Sequence, residues 1–306
     1  ELFQAALAEA AARRIDATDL SVTGLTYLTN GLTLATNATT TNAATVTLGN
    51  GGDLRYNGTQ ALGGTGNLIF GGTSTTWLYR QTAGTTLTIG SGITVSGSGT
   101  GSAYLGYYSD EVIDFQGTLN ASVAGKTWSL GSMTNTGNIN VSAGTLNLDA
   151  ASGVGTWTNT ATVGKGIAVS GGVLNLGDAF NASSLGNIVQ TGGTVNLTGT
   201  MTLNQASTNL STVGLTGLVV TGGNAEIVGG GNTLTSNGTL ALSTAVGAKA
   251  SSIRPWSCSV RSPRRSSAST NATACRCCCA RPRARRCAGC CVGFAPRWAR
   301  SDAGMR

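Results

Sequence analysis

Apolar and polar positions alternate along most of this chain. Between Thr134 and Thr200 the alternation falls into a repeated phrase: Gly, a small or β-branched residue, Leu or Val, Asn, Leu. It reads Gly144-Thr145-Leu146-Asn147-Leu148, then Gly172-Val173-Leu174-Asn175-Leu176, then Gly193-Thr194-Val195-Asn196-Leu197. Degraded copies start at Gly117, Gly223 and Gly238. A period of two is that of a β-strand, so Leu146 and Leu148 point to one side and Thr145, Asn147 and Asp149 to the other. One such strand cannot bury its apolar side alone. Recurrence every few tens of residues predicts a solenoid, in which each winding buries its leucines against the next. Stacking would place Leu174 and Leu176 over Leu146 and Leu148, and Val195 and Leu197 over those. The polar positions would form an outward row of Asn120, Asn147, Asn175 and Asn196, decaying at Glu226 and Ala241. The unequal spacing of the phrases argues against a strict hexapeptide repeat.

These patterns predict an all-β fold, a right-handed single-stranded parallel β-helix over residues 20–247, of about ten coils near 20 residues each. Residues 1–19 form a lead-in. Its Leu2, Phe3, Ala6, Leu7 and Ala10 have helical spacing, and Arg13 and Arg14 suit a helix C-terminus, so a short capping helix is expected there. Thr-rich alternations continue from Leu20 to Leu48. Gly49–Tyr56 has the glycine and aspartate of a calcium-binding nonapeptide, but it is single-copy and sets Arg55 where an apolar residue is needed. It reads as a turn between coils. The glycine runs Gly63–Gly72 and Gly97–Gly101 open no helix and sit in no βαβ pattern, so they read as turns and not phosphate loops.

Composition divides the chain sharply. Of 306 residues 46 are Gly, and none is His, which excludes Ser/His/Asp and Cys/His nucleophilic sites and His-ligated metal. Residues 1–247 hold 6 Lys and Arg against 11 Asp and Glu, a net of −5; residues 248–306 hold 13 against 1, a net of +12. All 8 Cys and all 4 Pro lie in the second part. A body free of Cys fits folding outside the cell without oxidative help, and a body free of Pro fits continuous strand ladders. The tail's Cys275–Cys278 and Cys287–Cys290 each have zinc-like CxxC spacing, yet extra cysteines adjoin both and nothing periodic and apolar lies beneath them. Its arginines could also hold nucleic acid by charge. Arg, Cys, Pro, Ala, Ser and Gly are, however, what a GC-rich gene yields in the wrong reading frame. The tail is accordingly read as frameshifted and unstructured, with no nucleic-acid partner, no metal and no cofactor.

The series TQALGGTGNLIFGG, TTLTIGSGITVSGSGTG, FQGTLNASVAGKTWSL, MTNTGNINVSAGTLNL and GGTVNLTGTMTL resembles filamentous-haemagglutinin-like and autotransporter-passenger proteins, over about Leu20 to Leu242. The resemblance implies a parallel β-helix that is exported and held at or released from the cell surface, outer-membrane associated and often adhesive, with host or matrix glycans or surface proteins as partners. It implies no catalytic residues. No secretion domain or membrane barrel is recognisable in the sequence, so any membrane attachment would come from a part not seen here.

One segment breaks the pattern. Tyr104, Tyr107, Tyr108, Asp110, Glu111, Asp114 and Phe115 form an aromatic and acidic cluster. As a surface loop it could stack sugar rings or carry a carboxylate pair; as a plain coil it would be a solvated bulge. Trp77, Trp128 and Trp157 read as edge or corner fillers. The function expected is that of a structural and adhesive segment acting by many weak contacts. The alternatives are a polysaccharide-cleaving β-helix using the 104–115 loop, and nucleic-acid binding by the tail.

Overall fold

A computed structural model describes residues 13–242 apart from 17–18, 29–30, 36–43, 161, 222–224, 230–231 and 237. Most of the expected lead-in, including its capping helix, and the whole 248–306 tail lie outside the described residues. Arg13 and Arg14 do not end a helix: Arg13–Asp16 is a strand paired in parallel with Leu32–Ala35. Among the described residues there is no α-helix, only a four-residue 3-10 turn at Ala182–Leu185.

Three parallel ladders carry the fold, each taking every third strand of the chain. The first sheet has seven strands, from Arg13–Asp16 to Trp157–Asn159; the second has eight, from Asp19–Val22 to Ile188–Gln190; the third has ten, from Leu25–Leu28 to Thr239–Leu242. The body is thus a β-solenoid of about eight turns, and the ten coils expected from sequence are matched by the third sheet alone. From Ala179 the wall is rebuilt by a three-stranded and a two-stranded sheet, which shortens the other two ladders.

The predicted stacking of the phrase is present residue for residue. Leu146 pairs with Leu174 and Leu174 with Val195, while Leu148 pairs with Leu176 and Leu176 with Leu197. These side chains are at most 1% exposed. Alternation therefore places one apolar column above another, and burying each methylene contributes roughly 0.8 kcal/mol. The winding length varies from 18 residues (Leu130 to Leu148) to 30 (Leu32 to Leu62), because the loops and not the strands absorb the difference.

The predicted row of asparagines divides. Asn147, Asn175 and Asn196 do stand in line, with Asn175 Nδ2 donating to Asn147 Oδ1 at 2.7 Å and Asn196 Nδ2 to Asn175 Oδ1 at 2.8 Å. Asn120 belongs to the second sheet, where it accepts from Asn140 at 2.9 Å. Glu226 lies in the small three-stranded sheet, and Val219 and then Ala241 continue the row beyond Asn196. The Gly117 and Gly223 copies of the phrase thus belong to other walls. A third amide ladder is internal: Asn135 donates to Asn159 at 2.8 Å, and both are buried.

The glycine that opens each phrase has a definite reason. Gly144, Gly172 and Gly193 have φ of 67°, 66° and 67°, a region that L side chains avoid. A Cβ on Gly172 would also stand 2.7 Å from the Gly144 carbonyl oxygen in the winding before. Both constraints recur because the corner recurs.

Gly172→Ala is therefore expected to destabilise the solenoid by about 1–3 kcal/mol, from backbone strain plus a clash that no side-chain rotation relieves. Equilibrium denaturant unfolding would read it; an unchanged midpoint would contradict this account of the corner.

Candidate functional site

The outward face of the third sheet changes character along its length. In the phrase region it presents asparagines. In the earlier windings it presents aromatic rings and ion pairs. Strand alternation fixes which residues emerge: in Thr76–Arg80 the inward Leu78 leaves Trp77 and Tyr79 outside, and in Ala103–Leu105 the buried ends leave Tyr104 outside. Register aligns Trp77 with Tyr104, and Tyr27 with Arg55 and then Tyr79. The Trp77 and Tyr104 rings are nearly parallel, 11° apart with centroids at 6.5 Å. Tyr107 contacts Tyr104 at 5.7 Å and Tyr79 at 5.8 Å, and Tyr108 contacts Tyr107 at 5.0 Å. Trp77, Tyr79, Tyr104, Tyr107 and Tyr108 are all half-buried, and Tyr27 is 37% exposed. Trp128 and Trp157, by contrast, fill the core, against Phe70 and Phe180 respectively.

Two arginines brace the rings. Arg55 lies over Tyr79, 4.9 Å from its centroid, and holds Asp53 at 2.7 Å. Arg80 lies over Tyr108 at 4.1 Å and holds Asp110 at 2.5 Å. Each cation thus stacks on a ring and cancels one carboxylate. Burial, with Asp53 nearby, pushes the Tyr79 phenol up to about 12.

The loop that carries Tyr107 and Tyr108 is set by Glu111. This carboxylate is fully buried. Its Oε1 accepts from the backbone N–H of Tyr107 and, at 2.8 Å, of Tyr108; its Oε2 accepts from the Arg80 N–H at 2.8 Å and the Tyr56 hydroxyl at 2.9 Å. Four donors replace the water that a buried carboxylate would otherwise lose. Desolvation, reinforced by Glu111, raises the pKa of Tyr56 well above the ordinary phenol range.

Of the seven residues grouped from sequence, Tyr104, Tyr107, Tyr108 and Asp110 meet on this face, while Phe115 is buried in the core. Glu111 lies beneath them as their support. Asp114 does not join them: it is on the outward side of the first sheet, accepting from Thr88 at 3.3 Å and from Gln116 at 2.8 Å. Sequence reading took Trp77 for an edge or corner filler and Arg55 for part of a turn, where Asp53–Tyr56 is a strand, and it missed Tyr79 and Arg80. The alternation of TWLYR and DLRY puts Trp77, Tyr79 and Arg55 on the polar side of apolar strands; Arg80 falls in the inward phase of Leu78, in register with the buried Tyr56, so alternation gave no signal for it.

A second acidic feature follows the third sheet in later windings. Asp149 comes directly after Leu148, and Asp178 two residues after Leu176, at the same corner one winding on. Asp178 has φ 54°, and its Oδ2 accepts from the Ala150 N–H at 2.8 Å. Partial burial, together with the neighbouring Asp178 carboxylate, pushes the Asp149 carboxyl up to about 6. No group of three or more His, Cys, Asp or Glu suited to a metal occurs among the described residues.

Comparison of the chain with protein families, with curated proteins and with solved structures finds no match.

Two outcomes follow from this geometry. Glu111→Gln loses the negative charge and replaces an acceptor oxygen with a donor, so it is expected to destabilise by about 2–4 kcal/mol and to weaken the near-ultraviolet signal of the tyrosine cluster. Calorimetry with circular dichroism would check it. For Asp149 the folded pKa lies above the unfolded one, so the folded state binds the proton more tightly. Its contribution to stability is greatest below pH 4 and is lost as pH rises towards 6. The stability difference between the parent and Asp149→Asn should change with pH in that window and level off above it; a flat difference from pH 4 to 7 would refute the pairing.

Proposed function

We propose that this chain is a rigid structural and adhesive segment of an exported protein of filamentous-haemagglutinin-like or autotransporter-passenger type, displayed at the cell surface or released from it. In this reading the aromatic face of the third sheet is where it meets carbohydrate. The observation that carries the proposal is the gathering of Trp77, Tyr79, Tyr104, Tyr107 and Tyr108 on one half-exposed face of the third sheet, next to windings that present Thr127, Ser129, Thr145 and Asn147. Tyrosine and tryptophan offer an apolar body and a polar tip, which suits a ligand of C–H faces and hydroxyls. A solenoid advances by about 4.8 Å per winding, so its length is set by strand stacking and its shape does not depend on a ligand. Such a body holds a weak site at a fixed position and repeats it when the parent protein is displayed in many copies, which multiplies affinity.

Binding is favoured over cleavage by the state of the carboxylates. Glu111 is enclosed and engaged by four donors, and Asp110 is held by Arg80. A general acid or base must reach the proton that it moves, and Glu111 has no open side from which to do so.

The test is a glycan-array and calorimetric comparison of the parent chain with the Trp77→Ala/Tyr104→Ala double variant, alongside an assay for reducing ends. The expected outcome is carbohydrate binding that falls at least about tenfold in the variant, a loss of roughly 1.4 kcal/mol, with no release of sugar. Equal binding by parent and variant, or turnover abolished by Asp110→Asn, would overturn the proposal.

A further inference from the structure

The aromatic face does not end at Tyr104. Cα register carries one outward row straight on: Trp77 pairs with Tyr104, Tyr104 with Ser129, Ser129 with Asn147, Asn147 with Asn175, and Asn175 with Asn196. All six are half-buried, so each offers part of its surface to solvent. Five steps between windings make a row of about 24 Å. From Trp77 on, two rings are followed by a hydroxyl and then three amides; one winding before Trp77 the same register position is held by Asp53, which is paired with Arg55. Each asparagine amide has two N–H groups, and the ladder along the row uses one of them on Asn175 and one on Asn196. The remaining polar capacity faces outward at intervals of one winding.

Resting on the carbohydrate reading above, we propose that this row takes a neutral, extended, β-1,4-linked hexopyranose chain lying along the solenoid axis, with its first sugars on Trp77 and Tyr104 and later ones on Ser129, Asn147, Asn175 and Asn196. Three observations select this class. First, a chain linked through equatorial bonds advances by nearly one winding per sugar, so rings and amides meet it in register; an α-1,4-linked chain curves away. Second, the six positions from Trp77 to Asn196 carry no charge, Asp53 one winding before them in the same row is paired with Arg55, and Arg80 is matched by Asp110, so nothing there compensates an anionic polymer. Third, stacking surface followed by amide donors and acceptors satisfies both the C–H faces and the hydroxyls of one polymer. The row is straight because parallel register repeats without slip, which a ligand of constant rise requires.

The experiment is calorimetry on the folded chain with neutral β-1,4 oligosaccharides of two, four and six sugars, both glucose and N-acetylglucosamine series. Malto-oligosaccharides and β-1,4 oligomannuronates serve as the curved and the anionic comparators. Affinity for the neutral β-1,4 chains should rise about tenfold from two sugars to six. Asn175→Ala should remove several-fold of the six-sugar affinity and leave the two-sugar affinity unchanged. Ser129→Arg, which puts a bulky cation in mid-row on the solvent side, should abolish the length dependence while circular dichroism confirms the fold. Trp77→Ala/Tyr104→Ala should weaken every length. Affinity that stops rising at two sugars, or a length dependence untouched by Ser129→Arg, would overturn the axial path while leaving the aromatic site standing. Equal or tighter binding of the maltose or mannuronate series would overturn the proposed chemical class. Binding to no carbohydrate at all would overturn the underlying carbohydrate reading and this inference with it.

Discussion

The structure depends on one constraint: every winding hydrogen-bonds through its backbone to the next in parallel register. The ladder fixes separation at about 4.8 Å and forbids slip, because a shift of one residue would turn the leucines outward. Like therefore stacks on like. Leucine columns gain burial, and asparagine rows gain a side-chain ladder parallel to the backbone one. Asp178 stands one residue off that register from Asp149, and partial burial, together with the Asp178 carboxylate, raises the Asp149 carboxyl pKa. A residue's effect here depends on what the neighbouring windings carry at that height as much as on its own preference.

Corners and a few core sites escape the repeat, and the chain meets each with a specific partner. Lys126 is 1% exposed; its Nζ donates to the Gly101 carbonyl at 2.7 Å and lies 5.5 Å from the centre of the Trp128 ring. Burial pushes this ammonium down to about 8. Gly97 makes room for it, since a Cβ there would meet the Lys126 Cδ at 2.6 Å. Glu111 is the anionic counterpart, satisfied by Tyr56, Arg80, Tyr107 and Tyr108. Buried charge is costly unless such partners surround it. Glu111 lies beneath the aromatic face, and Lys126 is tied to Gly101, just before the strand that carries Tyr104.

How much of this was legible in the sequence follows from what alternation can say. It reports which side of a strand a residue faces, so the leucine columns of residues 144–197 could be read directly. It does not report which wall a strand belongs to. One winding holds three strands of similar composition, and so the Gly117 phrase, whose Asn120 was placed in line with Asn147, proved to belong to the second sheet. The same ambiguity hid the aromatic face. Trp77 and Tyr79 are 25 or more residues from Tyr104 and Tyr107 in the chain, and only register brings them together. Local order also cannot separate Asp110 from Glu111. The first is half in solvent and the second fully enclosed, because the turn after Gly106 directs adjacent side chains to opposite environments. Arg13 and Arg14 failed in a different way: a helical spacing of alanines upstream was extended into a segment whose partner strand lies at Leu32–Ala35.

The first sheet stops at Trp157–Asn159 in an unusual manner. Instead of receiving another strand, it receives the 3-10 turn, and Asn159 Nδ2 donates to the carbonyls of Leu185 and Asn187, both at 2.8 Å. The Gly186 backbone comes so close that a Cβ would lie 2.1 Å from the Asn159 carbonyl oxygen. An open parallel edge is a template for unwanted polymerisation, in which a foreign strand docks and recruits the next. Here that edge is covered by the 3-10 turn, held by the Asn159 amide and by the Asn187 N–H donating to the Thr160 carbonyl at 2.7 Å. The molecule thus carries an internal stop codon of sorts, written in hydrogen bonds, that lets one wall finish while another grows on.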